Sequence, residues 1–368
     1  MPSPFLIRVD LSKQSHASAV STELNLCAFL TCGVSSYTTL IKLPKHEFGD
    51  GESYLQEEDE AKRISQCLEL AVLLEASADK PGNISRTSSF QDTRYEHFLA
   101  SAVALSYPFE RAARVGDLVL RREIHASRVE LGRIIKDCVT SINAWKRGGN
   151  TLLGSVIMLS PIAVAAGMAS AAGSSFQVSE MREKIKLLVE STTPEDAVNV
   201  YEAIRMATPG GLGSSSKLDI YDPMSTNKIL EESVSLYDIF KMAEKYDALC
   251  SEWVNNYPIT FEVACPCLLE RLEKKQDLNS AIVYAFLKVL AEYPDTLIAR
   301  KASSEKARQV SAEAKEILRA DFETPKSKRR LREFDKELRK SSNLLNPGTT
   351  ADIIASALAL LLLGGYRP

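Results

Sequence analysis

Histidine and tryptophan are scarce in this chain, with four His and two Trp among 368 residues. His16, His46, His97 and His125 show no metal-ligand spacing, and neither an H-E-x-x-H pair nor a G-x-S-x-G elbow occurs. Zincin-type and α/β-hydrolase chemistry are thereby set aside. The seven cysteines (Cys27, Cys32, Cys67, Cys138, Cys250, Cys265 and Cys267) lack C-x-x-C pairing, which argues against a zinc module or a dense disulfide framework. They read as reduced thiols. Neither sign of charge dominates: 45 Lys and Arg face 48 Asp and Glu, a formal net charge of -3, so a nucleic-acid partner has no electrostatic footprint. The stretch GGLGSSSK lacks the glycine before lysine that a P-loop needs. No charged n-region followed by an apolar core opens MPSPFLIRVDLSKQSHASAV, and a cytoplasmic location is the expectation.

One long apolar run stands against this background, Thr151 to Ala172, entered through RGGNTLLG. Its length is that of a membrane span. Ser155, Ser160, Pro161, Gly167 and Ser170 dilute it, and its flanks lack a belt of Trp, Tyr and basic residues. A helix apolar all round also suits the centre of a large helical protein, and that reading is preferred to a membrane one. The shorter run Ile353 to Leu363 reads as a second core helix.

Residues 1–60 form a separate segment, in which CAFLTCGVSSYTTLIKL has the character of a strand pair and KHEFGDGESYLQEEDE that of an acidic connector. From Ala61 onward the helical period takes over. Ile64, Cys67, Leu68, Ala71 and Leu74 make one apolar stripe. TTPEDAVNVYEAIRMA carries a helix start, with Thr193 as N-cap, Pro194 at the first position, then Glu195 and Asp196. Ala197, Val200, Tyr201 and Ile204 form its core face. In LNSAIVYAFLKVLAEYP the inward positions are Ile282, Val283, Phe286, Leu287 and Leu290. The basic run PKSKRRLREFDKELRK interleaves acids and reads as a solvated helix, with phosphate contact as the lesser alternative. The expected fold is mostly α: one large multi-helix domain over 61–368 with buried apolar helices, plus the small mixed segment 1–60.

Four glycine turns interrupt the helices: ASADKPGNISR, RGGNTLLG, TPGGLGSSSK and NPGTTAD. Such turns can aim backbone N–H groups and a helix N-terminus at phosphate, though any one of them can equally be punctuation. Lys80, Arg86, Arg94, Arg147, Asn150, Thr151, Thr349 and Thr350 supply anion and hydroxyl ligands around them. Carboxylates accompany these groups: Asp92, Glu96 and Asp352. On a helix, Asp92 and Glu96 would face one side and suit Mg²⁺ or acid/base work. The alternative is that Asp92 caps a helix while Glu96 pairs with Arg86 or another surface base. His97 reads as a packed or polar-bonded histidine.

In order and together, KPGN (Lys80 to Asn83), FLASAVAL (Phe98 to Leu105), RGGNTLLG (Arg147 to Gly154), DTLIARK (Asp295 to Lys301) and NPGTTAD (Asn346 to Asp352) resemble the triphosphoribosyl-dephospho-CoA synthase family, in a divergent, archaeal-type form. The resemblance spans most of the chain after about residue 62. It implies a soluble helical enzyme in which the 2'-hydroxyl of dephospho-CoA attacks C1' of ATP, adenine leaves and the triphosphate is retained. By the same resemblance Asp92, Asp352 and Glu96 are the catalytic candidates. Lys80, Gly82, Asn83, Arg86, Arg94, Gly149, Asn150, Thr151, Arg300, Lys301, Asn346, Gly348 and Thr349 would hold nucleotide and phosphate, and Mg²⁺ would sit on Asp92 or Asp295. Small-molecule nucleotides are the implied partners, with no nucleic acid and no membrane, and a homodimer is compatible with the apolar share. Compared with members that serve citrate lyase, Asp79 replaces the first proline of P-K-P-G, Ser85 an aspartate and Phe90 a histidine, and the G-x-G-x-R-G-E segment is replaced by TPGGLGSSSKLDIYD. Two other readings remain: a phosphoribosyl-type transferase with another acceptor, and a helical nucleotide-binding protein without catalysis.

Overall fold

The apolar run of the sequence becomes α5 (Leu153–Ser170), a helix crossing the interior with Pro161 in its middle. Proline has no N–H, so the carbonyl four residues earlier loses its helical donor. That carbonyl, on Ile157, accepts instead from the indole N–H of Trp253 at 3.2 Å. The next one, on Met158, accepts from the Tyr257 hydroxyl at 3.0 Å. Two fully buried aromatics are thus anchored on the proline step.

The structure is a computed structural model that describes residues 59–146, 149, 151–170, 178–213, 217–274, 277–320 and 324–368. Of the expected strand pair and acidic connector over residues 1–60, residues 1–58 lie outside these residues, as do Arg147, Gly148 and Asn150, while Asp59 and Glu60 open the first helix. No β-strand occurs among the described residues, only an isolated bridge between Ser85 and Ser88. Nor is any helix among them long and apolar enough to cross a membrane.

Around α5 the small residues set how closely helices approach. α3 (Ser106–Leu120) presents Gly116, where a Cβ would meet the Val164 carbonyl oxygen at 2.1 Å. Reciprocally, a Cβ on Gly167 would lie 1.9 Å from the Ala113 carbonyl oxygen. Backbone touches backbone at this crossing, which only glycine permits. α4 (Leu131–Trp145) crosses α7 (Pro194–Ala207) the same way: Gly132 lies on the Asp196 backbone and donates its N–H to Asp196 Oδ1 at 2.8 Å. Asp196 also closes the capping box with Thr193, as the TTPED start predicts.

α1 (Glu60–Ser77) packs against α16 (Gly348–Leu363), the second apolar run, in which nearly every side chain is buried. The predicted stripe on α1 is buried except Leu74, which is half-buried, and Val72 and Glu75 join it. α12 (Leu278–Glu292) buries all five residues assigned to its inner face. The basic run forms α15 (Pro325–Arg339), but it is not solvated all round: Phe334 and Leu338 are buried against the protein.

Candidate functional site

Described residues of the glycine turns meet at the end of the bundle where α16 begins, Gly82 on Pro347 and Gly211 on Lys301, and Asp295 ties α13 (Thr296–Lys301) to the NPGT turn. Its Oδ1 caps α13 by accepting from the N–H groups of Leu297 and Ile298 at 2.9 and 3.1 Å. Its Oδ2 accepts from the Thr350 N–H and hydroxyl, both at 2.8 Å. This ties α13 to the first turn of α16. Burial raises the Asp295 pKa, while the Thr350 and Ile298 bonds oppose the rise. Thr349 adds a hydroxyl contact to Thr296 at 3.2 Å.

The basic end of α13 is directed by its neighbours. Arg300 pairs with Asp247, which caps α10 (Ala248–Val254) through the Leu249 and Cys250 N–H groups. Lys301 donates to the Asn343 carbonyl at 3.3 Å, and the Asn343 amide donates to Asp92 Oδ2 at 3.3 Å. Desolvation lowers the Lys301 pKa, and Asp92 and Asp295 counter it. The TPGG turn lies against this lysine: Gly211, at φ +80°, would place a Cβ 2.8 Å from Lys301 Cγ. Thr93, beside Asp92, lies 3.9 Å from where a Cβ on Gly149 would be, so Gly149 borders the same cluster. Thr151 meets the buried Ser101 hydroxyl at 2.8 Å.

Asp352 sits one turn into α16, facing the start of α5. Ser155 donates its hydroxyl to Oδ1 at 2.6 Å. Oδ2 fills the space over Gly154, where any Cβ would lie 1.9 Å from it. Burial pushes the Asp352 carboxyl up to about 8; the Ser155 bond opposes this, and nearby Glu75 and Asp295 add to it. Taken as a whole the residue is half-buried, at the first turn of α16.

The KPGN turn is held from beneath. Lys80 is buried; its ammonium pairs with Glu75 at 3.1 Å and donates to the carbonyls of Glu75 and Ala78. Burial lowers the Lys80 pKa and raises that of Glu75, each opposed by the other's charge. Lys80 therefore pins the turn instead of reaching into solvent. Gly82, at φ +70°, packs on Leu338 and donates to Asp335 Oδ1 at 2.8 Å. Asn83 is buried, with Oδ1 accepting from the Ile84 N–H at 2.7 Å.

The remaining candidates are dispersed. Arg86 is exposed and donates to the Ser77 carbonyl at 3.2 Å. Asp92 lies in a bend before α2 (Tyr95–Ala104), whose N-cap is Arg94, so Asp92 and Glu96 do not share a helix face. Nor does Asp92 cap that helix. Arg94 and Glu96 are both exposed, and His97 Nδ1 accepts from the Arg94 N–H at 3.3 Å, a polar-bonded histidine. Gly348 donates its N–H to Asn346 at 2.9 Å and would clash with Leu297 if it bore a Cβ.

Sequence reasoning missed Glu75, Asp247, Asn343 and Ser155. Glu75 had a legible signal, an acid four residues after Ala71 on an apolar stripe. Asp247 and Asn343 act through loops far apart in the chain, for which no local pattern exists.

A helical bundle that brings glycine turns, cations and a buried acid to one end suits a helical enzyme acting on a small anionic substrate. The chain belongs to the ATP:dephospho-CoA triphosphoribosyl transferase family, whose model matches residues 61–368. It is accordingly a transferase that moves the triphosphoribosyl group of ATP to dephospho-CoA. A crystal structure from Archaeoglobus fulgidus, provisionally described as a triphosphoribosyl-dephospho-CoA synthase, has a similar fold, with TM-score 0.52 and 22% identity. The match covers 73% of this chain and 100% of that one. No curated protein matches the chain significantly.

Proposed function

We propose that Asp352 transfers the proton in this reaction and that Asp92 carries the metal. The reaction breaks the N9–C1' bond of ATP as the acceptor 2'-hydroxyl bonds to C1', and adenine leaves. Asp352 takes the hydroxyl proton, adenine leaves with the C1'–N9 electron pair and takes up a proton from solvent at N9, and Asp352 then releases its proton to solvent. The observation that carries this role is its setting: a buried acid enclosed by Gly154 and Ser155 and ionising at about 8. A base works best when its pKa lies near the operating pH.

Among the described residues no group of three or more His, Cys, Asp or Glu could hold a metal by itself. Mg²⁺ commonly needs only one or two carboxylates when phosphates complete its shell. Asp92 fits that use, being exposed and beside Lys301 and Asn343, whereas both oxygens of Asp295 are engaged by four donors. Mg²⁺ bound there would neutralise triphosphate charge. Lys301 adds a second cation, and the TPGG and NPGT turns border the phosphate path. Asp295 serves by fixing α13 against α16, and Lys80 by fixing the KPGN turn.

The test is adenine release by Asp92→Asn and Asp352→Asn proteins over a range of Mg²⁺. Asp92→Asn is expected to raise the Mg²⁺ concentration needed for half-maximal rate. Asp352→Asn is expected to abolish turnover at every Mg²⁺ concentration. Wild-type Mg²⁺ dependence in the first, or wild-type rate in the second, refutes the assignment of roles.

A further inference from the structure

Three polar atoms at the KPGN and NPGT turns are buried without a hydrogen-bond partner: Asn83 Nδ2, Arg339 Nη1 and Asn346 Oδ1. Buried polar groups are nearly always paired, and each exception calls for an explanation. The Asn83 amide cannot simply be turned over, because its Oδ1 accepts from the Ile84 N–H at 2.7 Å and leaves Nδ2 as the open donor.

Arg339 belongs to α15, the helix whose sequence suggests a solvated face, yet it is built into the turn. Its Nη2 donates to the Asn83 carbonyl. Its Nε donates to Asp335 Oδ1 at 2.8 Å, the atom that also accepts from the Gly82 N–H at 2.8 Å. The guanidinium lies over the Phe90 ring, 5.2 Å from its centroid. These contacts fix the fork on the Asn83 backbone and leave Nη1 without an acceptor. The Pro347 ring lies 3.2 Å from where a Cβ on Gly82 would be, so the NPGT turn, which carries Asn346, packs on the KPGN turn. Four residues beyond Arg339, Asn343 makes the bond to Asp92.

From this arrangement we infer that Arg339 is a further substrate-binding residue, whose Nη1 and the Asn83 amide together take a phosphoryl oxygen of the triphosphoribosyl donor. Two fixed donors with no acceptor, one of them charged, match an anionic oxygen. The third atom, an acceptor, matches a hydroxyl of the adjoining ribose. A guanidinium fixed by its other nitrogens binds an oxyanion at little further entropic cost. The inference rests on the reading of ATP as donor only for the identity of the anion.

The full-length protein is titrated calorimetrically with inorganic tripolyphosphate and with ATP, as wild type, Arg339→Lys and Asn83→Asp. Asn83→Asp is nearly isosteric, retains the acceptor for Ile84 and places a carboxylate where Nδ2 was, in the turn that the Arg339 guanidinium holds. It is therefore expected to keep its melting temperature or raise it, while tripolyphosphate affinity falls at least about tenfold. Arg339→Lys keeps the charge and is expected to weaken tripolyphosphate by a similar factor, raising KM for ATP with little change in kcat. Wild-type tripolyphosphate affinity in Asn83→Asp, or no tripolyphosphate binding by wild type, overturns the inference and leaves a structural water as the missing acceptor. Adenine release separates the two claims. Variants that lose tripolyphosphate while the wild type releases no adenine with dephospho-CoA would refute the reaction but not the anion site. Normal tripolyphosphate binding by the variants of an active enzyme would refute the site alone.

Discussion

Replacing Asp352 by Asn should make the protein more stable and inactive at once. The carboxyl ionises at 3.8 in an ordinary setting and at about 8 in the fold. Between those values the folded state keeps a proton that the unfolded chain has released. For a raised acid, stability is fully present below 3.8 and declines as pH climbs toward 8. Each pH unit in that interval costs the fold about 1.4 kcal/mol, giving a ceiling of about 4 kcal/mol at pH 7. Relaxation of the surroundings and water penetration reduce this to about 2 kcal/mol. Asparagine carries no titrating proton, can accept the Ser155 hydroxyl through its carbonyl and fits over Gly154 as the neutral acid does.

The expected result is therefore a gain of about 2 kcal/mol at pH 7 to 8 and none near pH 4, measured by urea unfolding across pH. Turnover should fall at least about a hundredfold, and the wild-type kcat/KM should rise with a midpoint near the Asp352 pKa, about 8. An Asp352→Asn protein that is less stable than wild type at pH 7.5 would refute the reasoning. So would a wild-type kcat/KM that falls through the same pH range, which would make Asp352 an acid.

Further predictions follow from the same contacts. Gly154→Ala puts a methyl 1.9 Å from Asp352 Oδ2; it should cost about 1–3 kcal/mol in urea unfolding and suppress adenine release together. Lys80→Met leaves Glu75 buried without its cation and should cost about 3 kcal/mol, the loss growing as pH rises, because burial raises the Glu75 pKa. Thr193→Ala removes the cap of α7 and should lower stability by about 1 kcal/mol with unchanged adenine release per folded molecule.

The sequence made the helices legible wherever a periodic stripe or a cap carried the signal. Thr193 and Pro194 start α7 as read, and the inner face of α12 is the one its pattern assigns. The apolar run was legible as a buried helix, but not the use of Pro161, because Trp253 and Tyr257 supply the compensating donors from about a hundred residues away. At the site, the turns and Asp352 could be singled out by composition and resemblance. The work of Lys80, Asp295 and Arg339 could not, since a buried ammonium, a double cap and a clamp across turns all depend on which distant carbonyls or N–H groups come to lie beside them. Asp92 and Glu96 illustrate the opposite error. Four-residue spacing implies a shared face only inside a helix, and α2 begins after Asp92.

The central claim is that this chain joins the triphosphoribosyl group of ATP to dephospho-CoA. Its most direct test is chromatography with mass detection on ATP, Mg²⁺ and the full-length protein, with and without dephospho-CoA. Adenine release that depends on dephospho-CoA, together with a triphosphoribosylated product, is the expected result. Adenine release at the same rate without dephospho-CoA, or intact ATP in its presence, would contradict it.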